Sequence, residues 1–226
     1  MAHFALLGSP FLGPEVWHPV GEALTASGHR ATILAAAGAT PEEVLLGLLD
    51  ALPTEDGLVL VPHSNAGLYV PALAAARPTA GVVFVDAGLP GPGRTTPVAP
   101  AELREWLRGR EDDVGLLPPW TTWWPEEETA ALFPDVATRR LVEAGQPRVP
   151  AEYLDGRVPT PPGWELGLHA GYLAFGDTYA LEVALAREWE WPVTVLDGGH
   201  LHQLVDPLGV ARAVVDLAAR SGALAD

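Results

Sequence analysis

Apolar positions along this chain fall into two alternating kinds of run. Residues 3–7, 30–36, 58–61, 82–85, 172–175 and 192–196 are short stretches rich in Val, Leu, Ile and Phe. Their length and near-continuous hydrophobicity predict six strands, mostly buried on both faces. Between them the period changes. Residues 15–27 place Val16, Trp17, Val20, Ala23 and Leu24 on one helical face, closed by Gly28. Thr40 followed by Pro41, Glu42 and Glu43 has the chemistry of a helix start, and that helix runs to about residue 52. Further helices are predicted over 65–77, ending before Pro78, and over 179–189 and 208–220. Strand and helix in strict alternation predict an α/β fold: a doubly wound, mostly parallel sheet of six strands with helices on both faces. Such sheets place function at the carboxyl ends of their strands.

The alternation stops at residue 88 and resumes near residue 169. Gly88-Leu89-Pro90-Gly91-Pro92-Gly93 opens the intervening segment, and prolines recur throughout it. Short helices are predicted at 101–108 and 126–133, with Trp120, Trp123 and Trp124 between them. Three neighbouring indoles are costly to leave in water. Residues 88–168 are therefore expected to form an inserted helical cap on a core made of 1–87 and 169–226. The three tryptophans would shape an apolar substrate pocket beneath it.

Composition narrows the chemistry. A chain of 226 residues with 48% hydrophobic and 19% charged content suits one folded domain. A formal charge of −16 argues against nucleic-acid or anionic-membrane partners and suits a neutral or cationic small molecule. The chain has no cysteine, which excludes thiolate metal sites, disulfides and cysteine nucleophiles. All 13 basic residues are arginine, so Schiff-base, pyridoxal and P-loop chemistry, which each need a lysine, are excluded too. With neither a signal-like start nor 18 consecutive apolar residues, the expected location is the cytoplasm. No cofactor and no metal are expected. Oligomeric state is left open.

The most informative stretch is Val59-Leu60-Val61-Pro62-His63-Ser64-Asn65-Ala66-Gly67. An apolar strand stops at a serine between small residues, and a helix starts at once. This is the layout of a nucleophile elbow, a sharp turn that exposes a hydroxyl above the end of a sheet. Pro62 and Ala66 occupy the flanking positions that G-x-S-x-G gives to glycine. Ser64 is the candidate nucleophile. A serine nucleophile needs a base and an acid to orient it, and two later loops supply candidates. Asp177 follows the predicted strand 172–175, and His200 follows 192–196 in Asp197-Gly198-Gly199-His200. Asp86, at the end of strand 82–85, competes with Asp177 for the acid, and His202 competes with His200 for the base. His63, beside the serine, is assigned a structural role.

These segments resemble the α/β-hydrolase superfamily over nearly the whole chain. Leu7-Gly8-Ser9-Pro10 through Trp17 to Gly28-His29 is similar to the family's first strand, oxyanion loop and helix. Gly198-Gly199-His200-Leu201-His202 is similar to its catalytic-histidine loop, and the order Ser…Asp…His is the family's. The resemblance implies Ser64, Asp177 and His200 as a triad. It also implies an oxyanion hole built from the N–H of Asn65 and one from the loop after the first strand. That loop departs from the usual His-Gly, and Pro10 has no N–H, so Ser9 or Phe11 must donate. The implied activity is a serine hydrolase acting on an ester, thioester or lactone of a hydrophobic small molecule. The Ala-, Gly-, Pro- and Arg-rich composition adds a thioesterase or cyclase of secondary metabolism. The alternative is a cofactor-free cyclase, lyase or isomerase using the same pocket.

Overall fold

The computed structural model describes residues 1–224. Among these, eight strands occur: β1 (His3–Leu7), β2 (Arg30–Leu34), β3 (Leu58–Ser64), β4 (Gly81–Ala87), β5 (Thr95–Pro97), β6 (Arg157–Pro159), β7 (Ala170–Phe175) and β8 (Val193–Leu196). Six form one sheet in the order β2-β1-β3-β4-β7-β8, all parallel. The chain runs outward from β1 to β2, then crosses back to β3 and continues the other way. The switch point therefore lies between β1 and β3, where an open α/β sheet leaves a crevice at its carboxyl edge.

The helices are α1 (His18–Ala26), α2 (Pro41–Ala51), α3 (Val70–Ala76), α4 (Ala101–Leu107), α5 (Glu126–Ala130), α6 (Val136–Gly145), α7 (Ala180–Glu188), α8 (His202–Val205) and α9 (Pro207–Arg220). Thr40 caps α2 by accepting from the Glu43 N–H, and the Glu43 carboxylate returns to the Ala39 N–H at 2.8 Å. Asp206 caps α9 through the Gly209 N–H. β3 and β4 are buried at every residue, which is why their sequences lack polar alternation. Phe84 of β4 stacks on Tyr172 and Trp191, joining β4 and β7 to the core. No helix among the described residues is long and apolar enough to cross a membrane.

The core elements follow the hydrophobic pattern closely, with two differences at the elbow. β3 runs on through His63 to Ser64, and the helix after it begins as a tight 3₁₀ turn, Asn65–Tyr69, before α3. Residues 88–168 contain more structure than their prolines suggest. Beyond α4 and α5 they hold α6, the antiparallel ribbon β5–β6, and 3₁₀ turns at Trp120–Thr122 and Ala151–Asp155. α6 buries only Val142 fully and leaves Val136 and Leu141 exposed, so it carries almost no apolar stripe to read. The segment touches the sheet's carboxyl edge at several points: Val98 O at Asn65, Tyr153 at Tyr69, Trp123 at Phe11 and Trp120 at His200.

Candidate active site

Ser64 sits at the last position of β3 with φ 56° and ψ −129°. A non-glycine residue there is strained by about 1–3 kcal/mol, a cost tolerated mainly where geometry is functional. Neighbouring residues hold the turn. The Ser64 carbonyl accepts from the Gly88 N–H at 3.0 Å, and Ala66 is fully buried. A side chain on Gly67 would come within 2.3 Å of the Gly88 carbonyl, so only glycine lets the turn press against the end of β4. Pro62, an unusual residue for a central strand, pairs with Leu7. The Leu7 carbonyl accepts from the indole N–H of Trp17 at 3.0 Å, which ties the end of β1 to the turn before α1.

His200 is nearly buried, and its Nδ1 lies 2.6 Å from Oδ2 of Asp86. Asp86 is fully buried at the end of β4, also with a positive φ, 41°, and its Oδ1 accepts from the Phe175 N–H at 2.9 Å. With the carboxylate holding Nδ1–H, Nε2 is the free, basic nitrogen. The acid at His200 is therefore Asp86 and not Asp177. β4 lies beside β3, which ends at Ser64, and its turn folds the Asp86 carboxylate inward. Asp177 follows the left-handed Gly176 into an exposed turn, where it lines the mouth of the cavity. Of the two histidines, His202 packs against Phe175 and the Gly198 backbone, away from Ser64. His63 is fully buried, stacks on His200 at 4.5 Å and sets its Nε2 2.9 Å from the His200 carbonyl. Burial, then the nearness of His200, hold His63 well below the ordinary histidine range, so it is a neutral donor to that carbonyl.

The Ser64 hydroxyl is not hydrogen-bonded to His200; the Tyr179 hydroxyl lies beside it in the same cavity. Burial raises the Tyr179 phenol above its ordinary range, and the Ser64 contact pulls it partly back, so it remains a proton donor at neutral pH. Tyr179 also lies against His200, with ring centres 5.7 Å apart. Asn65 opens the turn after Ser64, where the first N–H groups of a helix have no partner in it. The loop after β1 folds on itself: the Ser9 carbonyl accepts from Leu12 and Gly13, and its hydroxyl accepts from the Phe11 N–H at 3.3 Å. Phe11 lines the cavity, but its N–H already has this acceptor.

Ser64, Asn65, Phe11, His200 and Asp177 share one cavity of about 1000 Å³ with Trp120, Trp123 and Trp124. Trp120 lies 5.7 Å from the His200 ring, and Trp123 packs on Phe11.

No family model matches the chain. It is 41% identical over 133 residues to Esterase PIR7B of Oryza sativa subsp. japonica, an alignment covering 51% of this chain and 48% of that protein. It is 34% identical over 90 residues to the (S)-hydroxynitrile lyase of Manihot esculenta, covering 34% of each. The chain thus spans about half the length, or less, of these curated relatives. Over its whole length it superposes on an extracellular α/β-hydrolase from a Paenibacillus species. The TM-score is 0.77 at 18% identity, covering 96% of this chain and 99% of that one. The chain has the α/β-hydrolase fold.

Two groups beside Ser64 carried little signal in the sequence. Tyr179 reads only as the start of a helix. Tyr153 reads only as one aromatic in a proline-rich segment, yet it is buried against Asn65 and Phe11. Asp86 did carry a signal, as an acid ending a fully apolar strand.

Proposed function

We propose that this α/β-hydrolase is a serine esterase for esters, thioesters or lactones of a hydrophobic small molecule, with Ser64, His200 and Asp86 as its triad. The observation that carries this reading is Ser64 in a strained elbow sharing one cavity with a histidine held by a buried carboxylate. The resemblance to an esterase supports the reaction class, and the tryptophan-lined cavity supports an apolar substrate.

In this mechanism Ser64 Oγ attacks the carbonyl carbon while His200 Nε2 takes its proton. Asp86 stabilises the imidazolium that forms. The negative oxygen of the tetrahedral intermediate is met by the Asn65 N–H and by the Tyr179 hydroxyl, the other polar hydrogen at the nucleophile. Collapse expels the alcohol or thiol, which takes the proton from His200, and water then releases the acid by the same steps. Closure of the gap between Ser64 and His200 belongs to the substrate complex, where catalytic hydrogen bonds tighten.

A second reading keeps the cavity without an acyl-enzyme: His200 as a base on a bound substrate, with Ser64 and Tyr179 as donors. The resemblance to a lyase and the nearness of Tyr179 to Ser64 in the cavity favour it. A fluorophosphonate probe separates the two. Labelling of Ser64 that is lost in His200→Ala, with p-nitrophenyl butyrate hydrolysis lost in Ser64→Ala, is expected for the esterase. Folded protein that resists labelling, or a Ser64→Ala variant that still turns over ester, overturns it.

A further inference from the structure

Four groups form a one-way chain of hydrogen bonds beside the elbow. Asn65 Nδ2 donates to the Val98 carbonyl at 2.6 Å, which leaves Asn65 Oδ1 as an acceptor. The Tyr153 hydroxyl donates to that Oδ1 at 3.1 Å. The Tyr69 hydroxyl lies 2.5 Å from the Tyr153 oxygen, and because Tyr153 spends its proton on Asn65, Tyr69 must be the donor. Both phenols are buried, and burial raises them above their ordinary range, so both keep the protons this direction needs. Asn65 is thereby fixed from two sides by the 88–168 segment, through Tyr153 and Val98.

Tyr153 does more than hold one side chain. Its ring meets Phe11 edge to face, with centres 5.5 Å apart at 87°. Phe11 belongs to the loop after β1, and Asn65 to the turn after β3, so the two walls of the switch-point crevice touch the same residue. A partly buried amide anchored through both its oxygen and its nitrogen cannot rotate its backbone freely, and oriented peptide donors are what an oxyanion site needs.

We infer that Tyr153 is a positioning residue: by holding Asn65 through its hydroxyl and Phe11 through its ring, it aims the Asn65 N–H at the oxygen of the tetrahedral intermediate. This rests on the esterase reading of Ser64. It also ties the inserted segment to the chemical step, beyond shaping the pocket.

The test is Tyr153→Phe in the full chain, which keeps the ring on Phe11 and removes only the hydroxyl. Expected is a fall in kcat for p-nitrophenyl butyrate of about 10- to 100-fold, with KM changed less than about twofold. The inhibition constant of 2-phenylethaneboronic acid, which forms a tetrahedral adduct on a serine, should rise by the same factor as kcat falls. Tyr69→Phe, which leaves the Tyr153–Asn65 bond in place, should cost only a few-fold. A merely structural Tyr153 would lower the melting temperature and leave kcat and boronate affinity untouched, and that outcome overturns the inference. The double variant Tyr69→Phe/Tyr153→Phe strands no hydroxyl and serves if the single variant folds poorly. If the native chain neither hydrolyses ester nor binds boronate, the esterase reading falls by itself. The Asn65 backbone amide resonance then decides this point, since it should move in Tyr153→Phe, and an unmoved resonance refutes the coupling.

Discussion

The Nδ1–H of His200 donates to Oδ2 of Asp86 at 2.6 Å, and the carboxylate is fully shut away from solvent. Asp86 leaves the strand next to the nucleophile's strand, and its second oxygen is tied to the Phe175 N–H. Replacing it by Asn keeps the shape but allows the wrong imidazole tautomer, with Nε2 carrying the proton. Asp86→Asn should lower kcat for p-nitrophenyl butyrate by about 10³- to 10⁴-fold, by analogy with the effect of that change in other triads. Asp177→Asn should leave kcat/KM for the same neutral ester within about threefold, as befits an exposed residue at the cavity mouth. The reverse ranking in steady-state kinetics would return the role to Asp177.

Tyr179 lies beside Ser64, the proposed nucleophile, in the cavity. With the Phe11 N–H engaged by Ser9 Oγ, we expect this phenol to supply the second donor. Tyr179→Phe should therefore lower kcat by about 10²-fold, near the lower end for loss of one oxyanion donor, while KM stays close to that of the native chain. A kcat within about twofold of native would show that the loop after β1 opens to donate when substrate binds.

The sheet was legible because its strands are buried on both faces, and an unbroken apolar run records that directly. The elbow was legible for a different reason: crowding at Ser64 restricts its neighbours to small residues, and Ala66 and Gly67 show it. The acid was harder. Asp86 and Asp177 both end strands at the same edge of the sheet, and the resemblance, which puts the acid after the penultimate strand, favoured Asp177. The choice turns on a backbone angle at Asp86 that no spacing encodes. Tyr153 and Tyr69 were beyond reach, since 84 residues separate hydroxyls that meet at 2.5 Å. The ribbon stayed hidden because strands of three residues carry no period, and α6 because it buries only Val142 fully.

His63 gives the fold a pH-dependent term. Buried against His200 and Trp17, it resists protonation in the folded chain, whereas in the unfolded chain it titrates near 6.5. Its folded-state pKa is depressed, so the unfolded state binds an extra proton once the pH falls below about 6.5. Stability is thus full above about pH 6.5 and falls as the pH drops, by up to about 1.4 kcal/mol per pH unit for one proton. Urea unfolding at pH 7.0, 6.0 and 5.5 should show this slope, and His63→Gln should reduce it by up to one proton. Equal slopes in the two proteins would show that His63 takes up its proton in the folded state as well.

The cavity also has an electrostatic preference. Glu128, Asp177 and Glu182 line it, against one cation, Arg157, whose guanidinium is bound to Thr95. None of the three carboxylates has an ion-pair partner among the described residues, and Trp120, Trp124 and Tyr179 offer aromatic faces nearby. A cationic ester should therefore be favoured over a neutral one of equal shape. The matched pair is a 2-(trimethylammonio)ethyl ester and a 3,3-dimethylbutyl ester of the same acid, which differ by one charge. We expect kcat/KM to favour the cation by about tenfold at low salt, an advantage that shrinks in 0.5 M NaCl. Glu182 is half-buried, and burial raises its pKa above the ordinary carboxylate range. It loses its charge sooner as the medium is acidified, so the preference should weaken toward pH 5, and Glu182→Gln should weaken it at every pH. Equal kcat/KM for the two esters at low salt and pH 8 would show that solvent screens these carboxylates, leaving shape alone to choose the substrate.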